Sequence, residues 1–456
     1  MTSLDGSPYQ GYLYAYPHKT AYRPLRPRPA LRDVWAAQRR DALFLYLHLP
    51  FCEMRCGFCN LFTRANPPAE QVSSYLKQLA AQADRVADAL GDGVDFARVA
   101  VGGGTPTFLT APELTTLFDL LARFGARLGT VPMAVETSPA TATADRMAVL
   151  AERGTTRISI GVQSFLDVEA RAAGRPQRRV EVEAALATIR AHPLPTLNID
   201  LIYGIPGQTA RTWRASLLAA LDWQPEELFL YPLYVRPLTG LDRRAHGGAV
   251  GGVPRPGLAG PADRRDEAWD DSRLALYRQG RDLLLTAGYR QLSMRHFRRR
   301  ELADAAGPEY CCQDDGMVGL GCGARSYTTG LHYSFDYAVG VGQVREIIAD
   351  YLRRPATDFD VAEVGFGLDE VEQRRRWLVK SLLRADGFAP TAYRQRFGTG
   401  LAEDFPTLDR LTDRGWLDTG PDRVRLTAAG LERSDAIGPW LGSEPVRAAM
   451  ADHPAR

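Results

Sequence analysis

Between residues 43 and 235 the chain switches repeatedly between short apolar or β-branched runs and longer segments of helical period. The runs are Leu43–Leu49, Val99–Val101, Ala134–Thr137, Arg157–Val162, Leu197–Tyr203 and Leu228–Val235. Helical segments fill the gaps at Val72–Leu90, Ala111–Phe124, Thr143–Arg153, Val180–Ala191 and Ala210–Leu221. In the first of these, Val72, Tyr75, Leu79, Val86 and Leu90 recur at spacings of three, four and seven, with Ala83 in the gap. That spacing sets them on one stripe of a helix. Strand–helix alternation predicts a parallel sheet with helices packed outside it. Six units fall short of the eight that close a barrel. The expected fold is therefore α/β, a partial (β/α)6 TIM-like barrel.

The rest of the chain divides around that unit. Residues 1–40, rich in Pro, Tyr and Arg, read as an extended arm with one short helix near Leu31–Arg39. The barrel is assigned to 41–244 and a Gly/Pro-rich linker to 245–268, since AHGGAVGGVPRPGLAGP (245–261) is dominated by turn formers. Residues 269–360 form an extension expected to close the barrel. Residues 361–456 form a smaller helical domain, winged-helix-like in its order of helix, short strand at Arg423–Leu426 and helix.

Charge excludes some functions. The chain has 56 basic and 54 acidic residues, and the basic ones are scattered. No basic face marks a nucleic-acid binder, and none is expected as a partner. No apolar run approaches the ~20 residues that span a bilayer, and the first twenty residues lack a secretory layout. A cytoplasmic location is expected, where thiols stay reduced. The six cysteines then read as ligands, nucleophiles or core filler.

Three of them, Cys52, Cys56 and Cys59, lie in one loop directly after the first strand, in YLHLPFCEMRCGFCN (46–60). Thiolates select iron–sulfur clusters, zinc or copper over hard cations. Structural zinc wants four ligands, and only three cysteines are local. Three cysteines on a four-iron cluster leave one iron open to an exogenous ligand, which a four-cysteine electron carrier lacks. A zinc loop with His48 as a fourth ligand, or simply packed thiols, are the competing readings. Tyr46 and His48 share one strand face, either beside the cluster or as buried core groups.

C-x3-C-x2-C after the first barrel strand resembles the radical S-adenosylmethionine (SAM) superfamily. Together with VGGGTPTFL (101–109), ISIGVQSF (158–165), NIDLIYGIPGQT (198–209) and YPLYVRPLTG (231–240), it resembles the oxygen-independent coproporphyrinogen III oxidase and haem chaperone family. A weaker match continues through GLGCGARSY (319–327). The resemblance implies a [4Fe–4S] cluster on Cys52, Cys56 and Cys59, with SAM as cofactor. It implies that Tyr46, Gly103, Gly104, Thr105, Glu136, Gln163, Arg175 and Asp200 contact SAM, with Gly102 in the same glycine turn. Each motif follows a predicted strand, where barrel enzymes build their sites. A carboxylate and a cation hold the two halves of a zwitterion, and a second carboxylate suits a ribose diol.

The implied activity is a radical SAM oxidoreductase in porphyrin and haem biosynthesis, which decarboxylates coproporphyrinogen III oxidatively. A methyltransferase-like enzyme using two SAM molecules and a haem-binding chaperone are the alternatives. The implied partners are a tetrapyrrole and a reductant such as flavodoxin or ferredoxin. Two departures from the family stand out. Founding oxidases carry another cysteine two residues after the third, where this chain has Leu61. Haem chaperones carry His-Asn and Tyr-Trp near 310–316, which reads YCCQDDG here. Cys311, Cys312 and Cys322 are expected to be structural thiols or, with His296, an auxiliary site. The basic stretch RHFRRR (295–300) is expected to be a solvated face or a clamp for substrate carboxylates.

Overall fold

The computed structural model describes residues 3–247, 266–302 and 310–453. Six parallel strands stand side by side in chain order: β1 (Leu43–Leu49), β2 (Phe96–Gly103), β3 (Met133–Thr137), β4 (Arg157–Gln163), β5 (Thr196–Tyr203) and β6 (Glu227–Pro232). Between them run α1 (Ala69–Leu90), α2 (Ala111–Arg123), α3 (Ala144–Glu152), α4 (Arg179–Arg190) and α5 (Ala210–Leu221). The predicted alternation is reproduced. The second strand is eight residues long where the apolar run suggested three, because Phe96–Arg98 precede that run and Gly102 and Gly103 extend it as backbone rather than as side chains.

Burial alternates along these strands. Leu45, Leu47, Val99, Val101, Val135, Ile158, Ile160, Leu197, Ile199, Leu228 and Leu230 are buried in one apolar core with the helices. Their strand neighbours Tyr46, Ala100, Glu136, Arg157, Asp200, Phe229 and Tyr231 keep part of their surface open on the other face. Period-two side-chain direction turns one sheet into an apolar outer face and a polar, aromatic inner face. On α1, the predicted stripe of Val72, Tyr75, Leu79, Ala83, Val86 and Leu90 is buried, joined by Gln82. The Gln82 carbonyl accepts from the Gly321 N–H at 2.8 Å and from the Tyr351 hydroxyl at 2.8 Å. That satisfies a polar group inside the core.

Both edges of the sheet are extended. Beside β6 lies β8 (His296–Arg299), antiparallel, followed by β7 (Tyr289–Gln291). Beside β1 lies β9 (Met317–Leu320), a seventh parallel strand, which the sequence pattern did not separate from its glycine turn. Then come β10 (Arg325–Tyr327), β11 (Leu331–Ser334) and β12 (Val364–Gly367), all antiparallel. The arm residues Arg23–Pro24 pair with β12, giving thirteen strands in this sheet among the described residues. The stretch predicted as a Gly/Pro linker lies largely outside the described residues, at 248–265. It leads to α6 (Glu267–Thr286).

A second core gathers Leu378, Val379, Leu382, Tyr393, Leu411, Leu426 and Ile437 with Leu4, Leu13, Tyr16 and Ala21 of the arm. Its elements are helical apart from the hairpin of β13 (Leu417–Thr419) and β14 (Val424–Leu426). Among the described residues no helix is long and apolar enough to cross a membrane.

Candidate active site

The cysteine loop leaves β1 at Pro50 and is held by close backbone contacts. The Gly57 N–H donates to the Gly174 carbonyl at 3.0 Å, and the Gly57 carbonyl accepts from Leu241 at 2.8 Å. A Cβ on Gly57 would stand 2.8 Å from the Ala173 carbonyl oxygen, and one on Gly174 would meet Gly57 backbone at 2.7 Å. Two glycines thus let the loop after β4 lie directly against the thiol loop. Cys52 is buried, while Cys56 and Cys59 keep some exposure.

Each sulfur has one polar neighbour. The Thr105 hydroxyl lies 3.6 Å from the Cys52 sulfur and donates to it. Arg175 Nη1 donates to Cys56 Sγ at 3.6 Å, and Thr63 Oγ1 lies 3.8 Å from Cys59 Sγ. Burial pushes the Cys52 and Cys56 thiols up, and at Cys56 the Arg175 guanidinium opposes that shift. Among the described residues no three His, Cys, Asp or Glu side chains converge as a single metal ion would require. His48 is not beside the thiols as a fourth ligand. Its Nε2 donates to the Phe62 carbonyl at 3.1 Å, so Nδ1 accepts from the Tyr46 hydroxyl at 3.2 Å. Burial, with Arg325 and Lys19 nearby, lowers its pKa to about 4 and keeps the ring neutral. It packs between glycines, for a Cβ on Gly103 or Gly323 would stand 2.7 or 2.5 Å from the imidazole.

The glycine turn after β2 is a tight cradle. Gly103 has φ +114°, and a Cβ on Gly104 would stand 2.5 Å from the Phe51 carbonyl oxygen. The amides here are already engaged: Gly103 donates to Glu136 Oε2 at 3.1 Å, Gly104 to Leu49 and Thr105 to Phe51, both at 2.7 Å. Any polar ligand must use the carbonyl side of the turn or the adjacent carboxylate. Glu136 is exposed, yet the protein around it raises its carboxyl to about 7. That combination describes a side chain facing an interior cleft rather than bulk water.

The remaining residues converge on the same end of the sheet. Gln163 closes β4 at φ +70°, a left-handed conformation that non-glycine residues rarely hold, at a register break in the β4–β5 ladder. A Cβ on Gly161 would stand 2.7 Å from Gln163 Nε2 and 3.5 Å from Arg175 Nη1. Arg175 is steered by its Nε donating to Gln177 at 2.8 Å. Asp200 pairs in register with Gly161 and accepts from Asn198 at 2.8 Å. Burial raises Asp200 to about 6, against the opposing pull of Asn198, Arg157 and Arg175.

Several groups on this face were not singled out in the sequence, although Asn198 and Glu53 lie inside quoted motifs. Asn198 and Arg157 share the inward phase of Asp200 and Ser159, so period-two counting from Asp200 would have found them. Glu53 accepts from Ser138 at 2.8 Å, while its other oxygen is buried without a partner. Phe229 stacks on Tyr231 at 5.8 Å between ring centroids and lies under the Arg157 guanidinium at 5.7 Å.

The structural-thiol expectation holds for Cys322 while its auxiliary-site alternative falls, and the solvated basic face is corrected. Cys322 does not join His296 in an auxiliary site: it is buried in the helix-side core, its N–H donating to the Tyr75 hydroxyl, and burial lifts its thiol to about 12. His296 instead stacks on Phe229 at 4.3 Å and meets Glu227 at 3.4 Å, on the inner face. Burial raises the Glu227 carboxyl, but His296 and Arg157 outweigh it and bring the pKa to about 2. Nor is 295–300 a solvated basic face. Arg295 is buried against Asp435, and Arg299 pairs with Glu301.

These features define a class. A profile of the radical SAM superfamily matches residues 46–219, which span the thiol loop, the glycine turn and the ends of β3 to β5. The oxygen-independent coproporphyrinogen III oxidase of Paracoccus denitrificans is 32% identical over 292 residues, 62% of this chain and 60% of that protein. The haem chaperone HemW of Escherichia coli is 30% identical over 397 residues, 85% of this chain and 95% of that protein. The chain belongs to the radical SAM superfamily, in the family of oxygen-independent coproporphyrinogen III oxidases and haem chaperones. Its fold matches the coproporphyrinogen III oxidase HemN of Escherichia coli with a TM-score of 0.71 at 23% identity, over 90% of this chain and 92% of that one. The family uses a [4Fe–4S] cluster and SAM. The residues present fit both groups: three thiols on one loop, each with a polar neighbour, and a cradle that a single Cβ would fill.

Proposed function

We propose that this chain is a radical SAM enzyme acting on a tetrapyrrole, converting propionate side chains of coproporphyrinogen III to vinyl groups by oxidative decarboxylation. The cluster sits on Cys52, Cys56 and Cys59, and SAM against Tyr46, Gly103, Gly104, Thr105, Glu136, Gln163, Arg175 and Asp200. Bound together, cluster and SAM supply hydrogen-abstracting radical chemistry. Carbonyls of the glycine turn and the Glu136 carboxylate take the ammonium, since the amides of that turn are already engaged. Arg175, aimed at Cys56 and beside Gln163, takes the carboxylate, and Asp200 takes the ribose diol. A small electron-carrying protein of the flavodoxin or ferredoxin kind supplies the electron.

One observation carries the substrate reading. The inner face combines aromatic rings, Phe44, Tyr46, Phe229 and Tyr231, with the cations Arg98 and Arg157, all with some surface open, Arg157 giving its Nε to Glu227 at 2.7 Å. A flat macrocycle bearing several carboxylates matches that pairing of apolar plane and arginine fork.

A second reading, a haem chaperone, is favoured by the near-complete span of the Escherichia coli chaperone and by Leu61 in the thiol loop. Anaerobic reconstitution with SAM, reductant and coproporphyrinogen III, followed by mass spectrometry, separates them. Loss of carbon dioxide with 5′-deoxyadenosine release supports the oxidase. An unchanged tetrapyrrole with stoichiometric haem binding overturns it for the chaperone. A gained methylene overturns it for methyl transfer.

A further inference from the structure

Residues 12–19 of the N-terminal arm cross the inner face of the sheet. The Tyr12 ring lies 3.9 Å from the Arg295 guanidinium. The Tyr14 hydroxyl accepts from Arg325 Nη1 at 2.5 Å, and His18 meets the Tyr14 ring edge-on at 5.3 Å. The Lys19 ammonium stands 3.3 Å from the Tyr337 ring centroid. Tyr337 in turn donates to the Asn60 carbonyl at 2.6 Å, inside the thiol loop. The arm thus carries one cation to the edge of the cysteine loop and meets a second, Arg325, which projects from β10.

These two cations differ from the other deeply placed ones. Arg295 pairs with Asp435, Arg273 with Asp270 and Arg376 with Asp314. Among the described residues, no carboxylate lies within ion-pair distance of Lys19 or Arg325. Arg325 Nε is buried without a hydrogen-bond partner. Their neighbours are phenol rings: Tyr14 lies under Arg325 at 4.9 Å, and Tyr337 under Lys19. Burial and Arg325 push the Lys19 ammonium well below its usual range, against the opposing pull of the Cys59 sulfur. A partly buried cation without a carboxylate partner is poised to take an anion from solution or from a ligand. Both side chains keep part of their surface open, so a ligand can reach them.

We infer that Lys19 and Arg325 form a carboxylate clamp that holds one acidic side chain of the substrate beside the cysteine loop, with the arm as its closing wall. The clamp needs only a carboxylate. Naming that group a propionate rests on the tetrapyrrole reading above. An arginine fork and a lysine point charge can grip one carboxylate from two sides.

The test uses the full chain with its cluster reconstituted. Binding of coproporphyrin III is followed by fluorescence quenching, and binding of benzene-1,3,5-tricarboxylate by calorimetry, for wild type, Lys19→Met, Arg325→Gln and Arg325→Lys. Each neutral variant is expected to weaken both ligands by about tenfold or more, with Arg325→Lys intermediate. Iron content and SAM affinity should stay at wild-type values. Ligand-free melting temperatures should equal or exceed wild type, because an unpaired charge has been removed. A structural role would lower them instead, and a fall in melting temperature paralleling the loss of binding overturns the clamp. Variants that bind both ligands like wild type also overturn it and leave the tetrapyrrole reading standing. Wild type that binds the tricarboxylate but no porphyrin sinks the tetrapyrrole reading and keeps the clamp. Wild type that binds neither ligand overturns both.

Discussion

Cysteines 52, 56 and 59 and cysteines 311, 312 and 322 are the same side chain in two environments. The first three occupy a loop at the carboxyl end of a parallel strand, each with a hydroxyl or guanidinium 3.6–3.8 Å from its sulfur. Cys322 lies in the helix-side core, and Cys312 beside the packed group of Ala15, Met317 and Tyr327, where burial lifts both thiols to about 12. Burial raises the thiols of both sets, Cys52 and Cys56 included, so desolvation alone does not separate them; what differs is that the first three share one loop, with Cys56 and Cys59 keeping some exposure and Arg175 opposing the shift at Cys56. Position at a strand end decided this, not the number of cysteines.

The strongest way to break the comparison is to remove one cysteine from each set. Cys56→Ala should abolish the near-visible cluster absorbance and reductive SAM cleavage. Cys322→Ala should retain full iron content and lose only about 1–2 kcal/mol in a urea titration, as a small buried side chain does. Iron loss in Cys322→Ala would erase the distinction.

A smaller effect tests the groove next to the thiol loop. The protein around the cleft-facing Glu136 raises its carboxyl to about 7 by disfavouring the charged form, so the carboxylate that attracts an ammonium forms as pH rises through that value. SAM affinity of cluster-loaded protein should tighten between about pH 5.5 and about pH 8. Glu136→Gln should weaken SAM about tenfold at the alkaline end and flatten the profile, since a hydrogen bond to a charged group contributes about 1.5–3 kcal/mol. A profile identical to wild type would place the ammonium elsewhere.

The smallest effect sharpens the comparison. Thr63 Oγ1 lies at the long limit of a sulfur contact with Cys59. Thr63→Val should leave iron content intact and change SAM affinity by less than about twofold, because such contacts are weak. A larger change would mean that the neighbour, not the thiol, sets the site.

How legible was this in the sequence? The barrel strands were legible because their outward residues form apolar runs, and α1 because one stripe repeats at helical spacing. The seventh parallel strand was legible only as a strand and glycine turn over Val318–Tyr327, since GLGCG in and after β9 hides where the strand ends and that it runs parallel. The thiol loop, glycine turn and strand-end carboxylates stood in local motifs. Arg157 did not, Asn198 stood in NIDLIYGIPGQT without being singled out, and Arg295 looked like a surface cation until Asp435, 140 residues on, came to meet it.

The sequence by itself determined the parallel sheet, the thiol spacing and the glycines that only a close approach of backbone requires, because each is written in neighbours along the chain. Tertiary structure decided the rest: which face each strand presents inward, that His48 bonds to Phe62 rather than standing as a fourth ligand, and that among the described residues no carboxylate pairs with Lys19 or Arg325. Long-range pairing of charges carries no local period, so only the folded chain reveals which cations are satisfied and which still await a partner.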